Sequence, residues 1–251
     1  MPRLDLLLAR ATGLGRRRAT AAIRAGRLRA ADGTVLRDAK VRIPPADLPL
    51  AAVLDDRPVL LREHVHLRMH KPHGVVTALR DARHPTAFDL LEGAPLARHL
   101  RAVGRLDLDT TGLLLWTTDG RLLHRLAHPR YAVPRTYEAL LAGAPEPLPA
   151  AGLVLDDGHR PRILDLAPVP ETRAHPALLR PAGGPIYRIR LVGGRFHEVK
   201  RIFAALGTRV RALCRTQYGS IDLPPALAPG AYDEVDLPGI ARERPPLPTG
   251  A

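Results

Sequence analysis

Between Ile186 and Leu206 the chain changes its hydrophobic period in mid-course, which constrains the fold more than any other stretch. In "IYRIRLV", Tyr187, Ile189 and Leu191 alternate with Arg188 and Arg190, the period of a half-buried strand. After two glycines, "HEVKRIFAAL" sets Val199, Ile202, Phe203 and Leu206 at i, i+3, i+4 and i+7, the apolar face of a helix. His197, Lys200 and Arg201 fall on its other side. Further strand-like runs, "HVHLRMH", "LLLWT" and "TYEALL", indicate a sheet for such a helix to cover, in a main body of about residues 60–240.

The chain has 251 residues, 45% of them apolar, which suffices for a sizeable core and one or two domains. Mean hydropathy is −0.09, a soluble composition. No apolar run approaches the ~18–20 residues of a membrane span, so no membrane association is expected. The opening "MPRLDLLLARATG" lacks the apolar stretch of a signal peptide. A single cysteine, Cys214, excludes an internal disulfide and suits a reducing cytoplasm, the expected location.

The formal charge is +13 and the isoelectric point about 11.1, pointing to a polyanionic partner, with nucleic acid foremost. Of 38 basic residues only Lys40, Lys71 and Lys200 are lysine, and asparagine is absent. Arginine is the default cation here, which singles out Lys71 and Lys200.

Residues 1–43 read as helix, turn, helix and a short hairpin around "ADGT". Arg16, Arg17, Arg18, Arg24, Arg27 and Arg29 crowd the second helix and its exit, over a small core of Leu4, Leu7, Leu8, Ile23 and Leu28. Such cations can hold phosphates without reading sequence, although an arginine-rich helix can also be merely solvated. The proline-punctuated stretch 43–58 is expected to be a linker. The tail, residues 241–251, is expected to be mobile. There is no internal repeat.

Three chemistries compete for the motifs. On a strand, His64, His66, Arg68 and His70 share one face, but an arginine among metal ligands is unfavourable, and no metal site is expected. "DLDTT" matches the D-x-D-x-T pattern of magnesium-dependent haloacid-dehalogenase-type phosphotransferases, with Asp107 as nucleophile, Asp109 as acid/base and Asp156 and Asp157 as further ligands. The context fails: that family's first aspartate follows an apolar strand near the N-terminus, and its lysine precedes the acidic pair. By itself, Asp109 reads as a cap or loop ligand, with Thr110 and Thr111 bonding backbone amides. Gly104 and Gly112 read as backbone requirements.

The third reading uses more of the chain. "VGRLDLDTTGLLLWTTDG" resembles the signature of bacterial ribosomal RNA pseudouridine synthases, most closely the ribosomal small-subunit pseudouridine synthase A family. "HKPHGVVTA" is similar to that family's "NKPxGxV", "RTYEALL" stands where "KTY" is expected, and "GGRFHEVKRIFAALG" resembles "EGRxHQVKRMFAAxG". "LCRTQYGSIDLP" matches the terminal "LxRxxIG", and the first 43 residues look like the family's RNA-binding domain of ribosomal protein S-four type. The departures are His70 for Asn, Arg135 for Lys, Glu198 for Gln and Ile202 for Met.

The resemblance implies an α+β fold: a small N-terminal α/β RNA-binding module with its linker (1–58), then a catalytic domain (59–240) with a mostly antiparallel sheet flanked by helices. It implies an isomerase of the bacterial cytoplasm, requiring no cofactor or nucleotide, that converts one uridine of ribosomal RNA to pseudouridine. A small-subunit target is favoured over a large-subunit one, in free RNA or a partly assembled particle, by an enzyme expected to be monomeric. A non-catalytic ribosome-assembly factor is the other reading of the same basic surfaces. By resemblance Asp107 is the catalytic carboxylate, Lys200 its cationic partner and Tyr137 the ring that stacks on uracil. RNA contacts are expected from Arg105, Lys71, Arg195, His197, Arg201 and Arg215, and from Arg16, Arg17 and Arg24. Arg209 and Arg211 are further candidates.

Overall fold

The computed structural model describes residues 1–181, 183–237 and 239. The tail 241–251 lies outside the described residues. The chain divides into two compact units, one from Met1–Val65 with Gly93–Leu100, the other from His66–Glu92 with the described residues from Arg101 on.

In the first unit, helices α1 (Leu4–Thr12) and α2 (Arg16–Arg24) bury Leu4, Leu7, Leu8, Ala19 and Ile23. Gly13, in the left-handed region at φ 74°, ends α1 and donates its N–H to Ala9 O. The hairpin after strand β1 (Leu28–Ala30) forms around Asp32, whose carboxylate accepts the Thr34 N–H at 2.8 Å.

The stretch 43–58, expected as a linker, instead supplies strand β2 (Leu50–Leu54) and the start of β3 (Arg57–Leu61), giving a three-stranded sheet in the order β1-β2-β3. Asp55 and Asp56 take φ 50° and 63°, forming a two-residue turn of the primed kind that matches strand twist. Arg27 Nε holds the Asp55 carboxylate at 2.7 Å. The prolines suggested a break, yet Pro58 sits on an edge strand, where its missing N–H costs no ladder bond.

The second unit is built on a nine-stranded sheet. Its strands are β4 (His66–Lys71), β5 (Arg101–Ala102), β6 (Thr110–Thr117), β7 (Arg135–Leu141), β8 (Arg162–Val169), β9 (Ile186–Val192), β10 (Val210–Tyr218), β11 (Ile221–Asp222) and β12 (Tyr232–Glu234). The main path runs β12-β4-β6-β10-β7-β9-β8, with β5 on β6 and β11 on β10. Every pairing among these strands is antiparallel except β6 with β10. This is the expected α+β architecture. Helix α3 (Gly120–Ala127) starts at Asp119, whose carboxylate accepts the N–H groups of Arg121 and Leu122. Helix α4 (Glu198–Ala205) lays Val199, Ile202 and Phe203 on the sheet, as its period predicts.

All eight residues of β6 are buried, which is why "LLLW" runs without polar alternation. The registers align Lys71, Gly112, Arg215, Tyr137 and Ile189 in one row across five strands. Gly112 belongs to that row for a steric reason: φ is +102°, and a Cβ there would lie 2.3 Å from Arg215 O. Leu213 pairs with Thr110, so β10 passes directly beside the chain that leaves Asp107.

Candidate active site

Asp107 ends the loop ahead of β6, and its carbonyl accepts the Thr110 N–H at 3.1 Å, turning the chain into the strand. Its half-buried carboxylate lies on the wall of a cavity of about 320 Å³ between this loop, Tyr137 on β7, Leu213 on β10 and the segment Gly193–Lys200. Lys200 Nζ is 3.5 Å from Asp107 Oδ2, and His197 Nε2 approaches the same oxygen at 3.6 Å. The helical period that put Lys200 off the apolar face aims it at this carboxylate, while His197 reaches the same oxygen from the left-handed position just ahead of α4.

Lys200 has a nearer partner. Asp109 receives its ammonium at 2.6 and 2.8 Å, so the lysine bridges two carboxylates rather than serving Asp107 alone. Burial pushes the Asp109 carboxyl up, but the hydrogen bond and charge of Lys200 outweigh it and hold the group below the usual carboxylate range. The capping role read for Asp109 is not what forms. Thr111 Oγ1 donates to Ala177 O at 3.1 Å rather than bonding an amide, and buried Thr110 Oγ1 has no hydrogen-bond partner among the described residues.

Two residues expected to touch RNA are interior. Lys71 is 0% exposed, and its Nζ donates to the carbonyls of Pro72 at 2.9 Å and Thr110 at 2.8 Å, with Leu108 O at 3.5 Å. It fastens the loop carrying Asp107 from beneath. Burial lowers the Lys71 pKa from 10.5 to about 8 against the opposing pull of Asp109 and Asp107. Arg215 is 1% exposed, with Nε on Leu113 O at 2.7 Å and Nη1 3.5 Å from the Tyr137 hydroxyl. Its guanidinium also lies 5.2 Å from the Tyr218 ring centroid. Both cations are out of reach of a phosphate, because carbonyls and aromatic rings have replaced water around them.

The other candidates divide by location. Exposed Arg105 lines the cavity with Arg195 and His197. Arg201 stands beside it with its guanidinium held by Asp156 and, at 2.8 Å, by Asp157. This pairing keeps the Asp157 carboxyl down at about 2. It also occupies the two carboxylates that a phosphotransferase would use on a metal. Arg209 and Arg211 are exposed but do not line the cavity, and Arg211 donates to Gly183 O at 2.7 Å. Arg16, Arg17 and Arg24 are exposed on α2 in the first unit, where Arg16 shares buried Asp5 with Arg3.

Histidines of the strand face bond protein groups: His66 Nδ1 meets Thr117 Oγ1 at 2.8 Å, and His70 Nδ1 meets Leu227 O at 2.8 Å. Arg68 pairs with Asp233 at 2.7 Å.

Glu198, the substitution with no evident sequence meaning, braces the cavity wall. One carboxylate oxygen accepts the Arg195 N–H at 3.0 Å and the other meets His159 Nε2 at 2.8 Å. A carboxylate serves both partners there. The signal was available in "LVLDDGH": its Asp156, Asp157 and His159 are the very groups that grip Arg201 and Glu198.

Residues 65–205 match the family model described as RNA pseudouridylate synthase. The chain is 36% identical over 236 residues to the ribosomal small subunit pseudouridine synthase A of Escherichia coli K12, covering 92% of this chain and 94% of that protein. It is 34% identical over 239 residues to YtzG of Bacillus subtilis, an uncharacterized RNA pseudouridine synthase, covering 93% and 94% of the two chains. Among solved structures, a pseudouridylate synthase superposes with a TM-score of 0.54 at 30% identity, covering 96% of this chain and 98% of its own.

Proposed function

The chain belongs to the RNA pseudouridylate synthase family, and we propose that it isomerises one uridine of small-subunit ribosomal RNA to pseudouridine. The reaction breaks the bond between uracil N1 and the ribose anomeric carbon and joins C5 to that carbon. The C5 proton leaves and N1 gains one, so atoms balance without an oxidant or reductant. The single observation that carries the reading is the Asp107 carboxylate on a cavity wall, 3.5 Å from Lys200 and sharing that cavity with the Tyr137 ring.

An ionised carboxylate in this position adds to an electrophilic carbon or removes a neighbouring proton. Lys200 Nζ and His197 Nε2, 3.5 and 3.6 Å from its Oδ2, hold that carboxylate in place on the cavity wall. Tyr137, steadied by Arg215, offers an aromatic face to the extruded uracil. The cavity volume suits a base taken out of its stack, a step least costly in RNA not yet fully paired. That favours ribosomal RNA before or during assembly as substrate. The small-subunit assignment is supported by similarity to synthases of that name over most of both chains. The first unit, with α2 presenting Arg17 and Arg24, acts on this reading as an RNA-docking domain of S-four type.

The test maps pseudouridine in ribosomal RNA from cells with and without the gene, then with Asp107→Asn. We expect one small-subunit site to vanish in the deletion and remain absent with the variant, while purified Asp107→Asn still binds the RNA. Persistence of every site in the deletion strain overturns the reading. Loss of a large-subunit site instead corrects the substrate.

A further inference from the structure

The chain contains three Phe, five Tyr and one Trp, and only Phe196 among them is exposed. It is 74% exposed, whereas every other Phe, Tyr and Trp ring is buried or half-buried. The exposure is built in. Glu198 accepts the Arg195 N–H on one side of Phe196, and His197 on the other takes a left-handed φ of 52°. His159 fixes the Glu198 carboxylate in turn. The ring stacks on the His197 imidazole, centroids 3.7 Å apart and planes 21° from parallel. His197 is the residue 3.6 Å from Asp107. Carboxylate, imidazole and phenyl ring therefore form a series leading outward from the cavity. Among the described residues, no second ring lies against the face of the phenyl group away from His197.

We propose that this outer face is a stacking platform for the base of the nucleotide immediately beside the target uridine. The inference rests on the functional reading above. Extruding a uridine leaves its neighbours without a stacking partner, and a rigid ring at the mouth of the receiving cavity replaces the one lost. Stacking accepts any base, because every base has a π-face, so Phe196 contributes affinity and placement rather than sequence choice. The surroundings favour RNA over a protein partner. Arg105 and Arg195, both exposed and on the wall of the cavity that Phe196 also lines, are cations suited to the phosphates on either side of the flipped nucleotide.

The test is a double-mutant cycle on an RNA fragment containing the mapped site. Dissociation constants are measured for wild type and Phe196→Ala, each with intact RNA and with RNAs carrying an abasic residue just 5′ or just 3′ of the uridine. We expect Phe196→Ala to weaken binding of intact RNA roughly 5- to 100-fold. One abasic RNA should lose a similar factor on wild type and almost nothing more on Phe196→Ala, and Phe196→Trp should restore binding. Independent losses with both abasic RNAs, or unaltered binding by Phe196→Ala, overturn the platform. If wild type modifies the RNA and the losses multiply, stacking alone fails. If wild type forms no pseudouridine in any ribosomal RNA, the functional reading fails and the platform with it.

Discussion

Lys71 and Arg215 show what a cation does once water is taken from it. Each has its charge absorbed by backbone carbonyls and, for Arg215, by aromatic rings. The depressed Lys71 pKa has a thermodynamic consequence. The folded lysine releases its proton near 8 and the unfolded one near 10.5, so between these values the unfolded chain binds more protons and stability rises with pH. We expect wild type to gain stability relative to Lys71→Met from pH 8 to 10, by at most about 1.4 kcal/mol per pH unit, read from paired denaturant titrations. A flat difference would show that Lys71 keeps its ordinary pKa. The sequence marked Lys71 as unusual, since arginine is the cation this chain otherwise prefers, but not as interior. A lysine between a strand and a proline looks the same in one dimension whether it faces phosphates or carbonyls. Half of the setting of Glu198 is local, the Arg195 N–H three residues back, whereas His159 of "LVLDDGH" reaches it only through tertiary structure.

Elements with one clear period were legible. Strand β9, helix α4 and the buried run of β6 form where alternation, helical spacing and unbroken apolarity place them. The β2–β3 hairpin was not, because its turn uses two aspartates in left-handed geometry and its prolines mimic a linker. The glycines of "GRLDLDTTG" looked alike in sequence and differ in the fold. A Cβ added to Gly104, at φ +75°, would meet nothing within 4 Å, whereas one on Gly112 would meet the β10 backbone at 2.3 Å. Gly104→Ala should therefore cost only the left-handed strain, about 1–2 kcal/mol. Gly112→Ala adds a clash with backbone, for a loss on the order of 3 kcal/mol or more. Equal losses in denaturant melts would mean that β6 and β10 do not approach so closely.

For the molecule as a whole, the charge of +13 is the main lever on binding. Log affinity for unpaired ribosomal RNA should fall linearly with log salt, with a slope of about −0.7 per phosphate neutralised. Arg17→Glu and Arg24→Glu on α2 are exposed substitutions, expected to leave the first unit folded. Each should weaken binding and make the slope shallower by roughly 0.7 if it removes one phosphate contact. Unchanged slopes would remove α2 from the docking surface.

The parallel pairing of β6 with β10 sets Thr110 against Leu213, and the cation beside Asp107 comes from α4, just ahead of β10. A growing polypeptide carries its aspartate out of the ribosome long before the strand that must lie beside it has been translated. On the proposed role of Asp107, the enzyme is inert through most of its own synthesis, and the reaction becomes possible only when Val210–Tyr218 has emerged and zipped into the sheet.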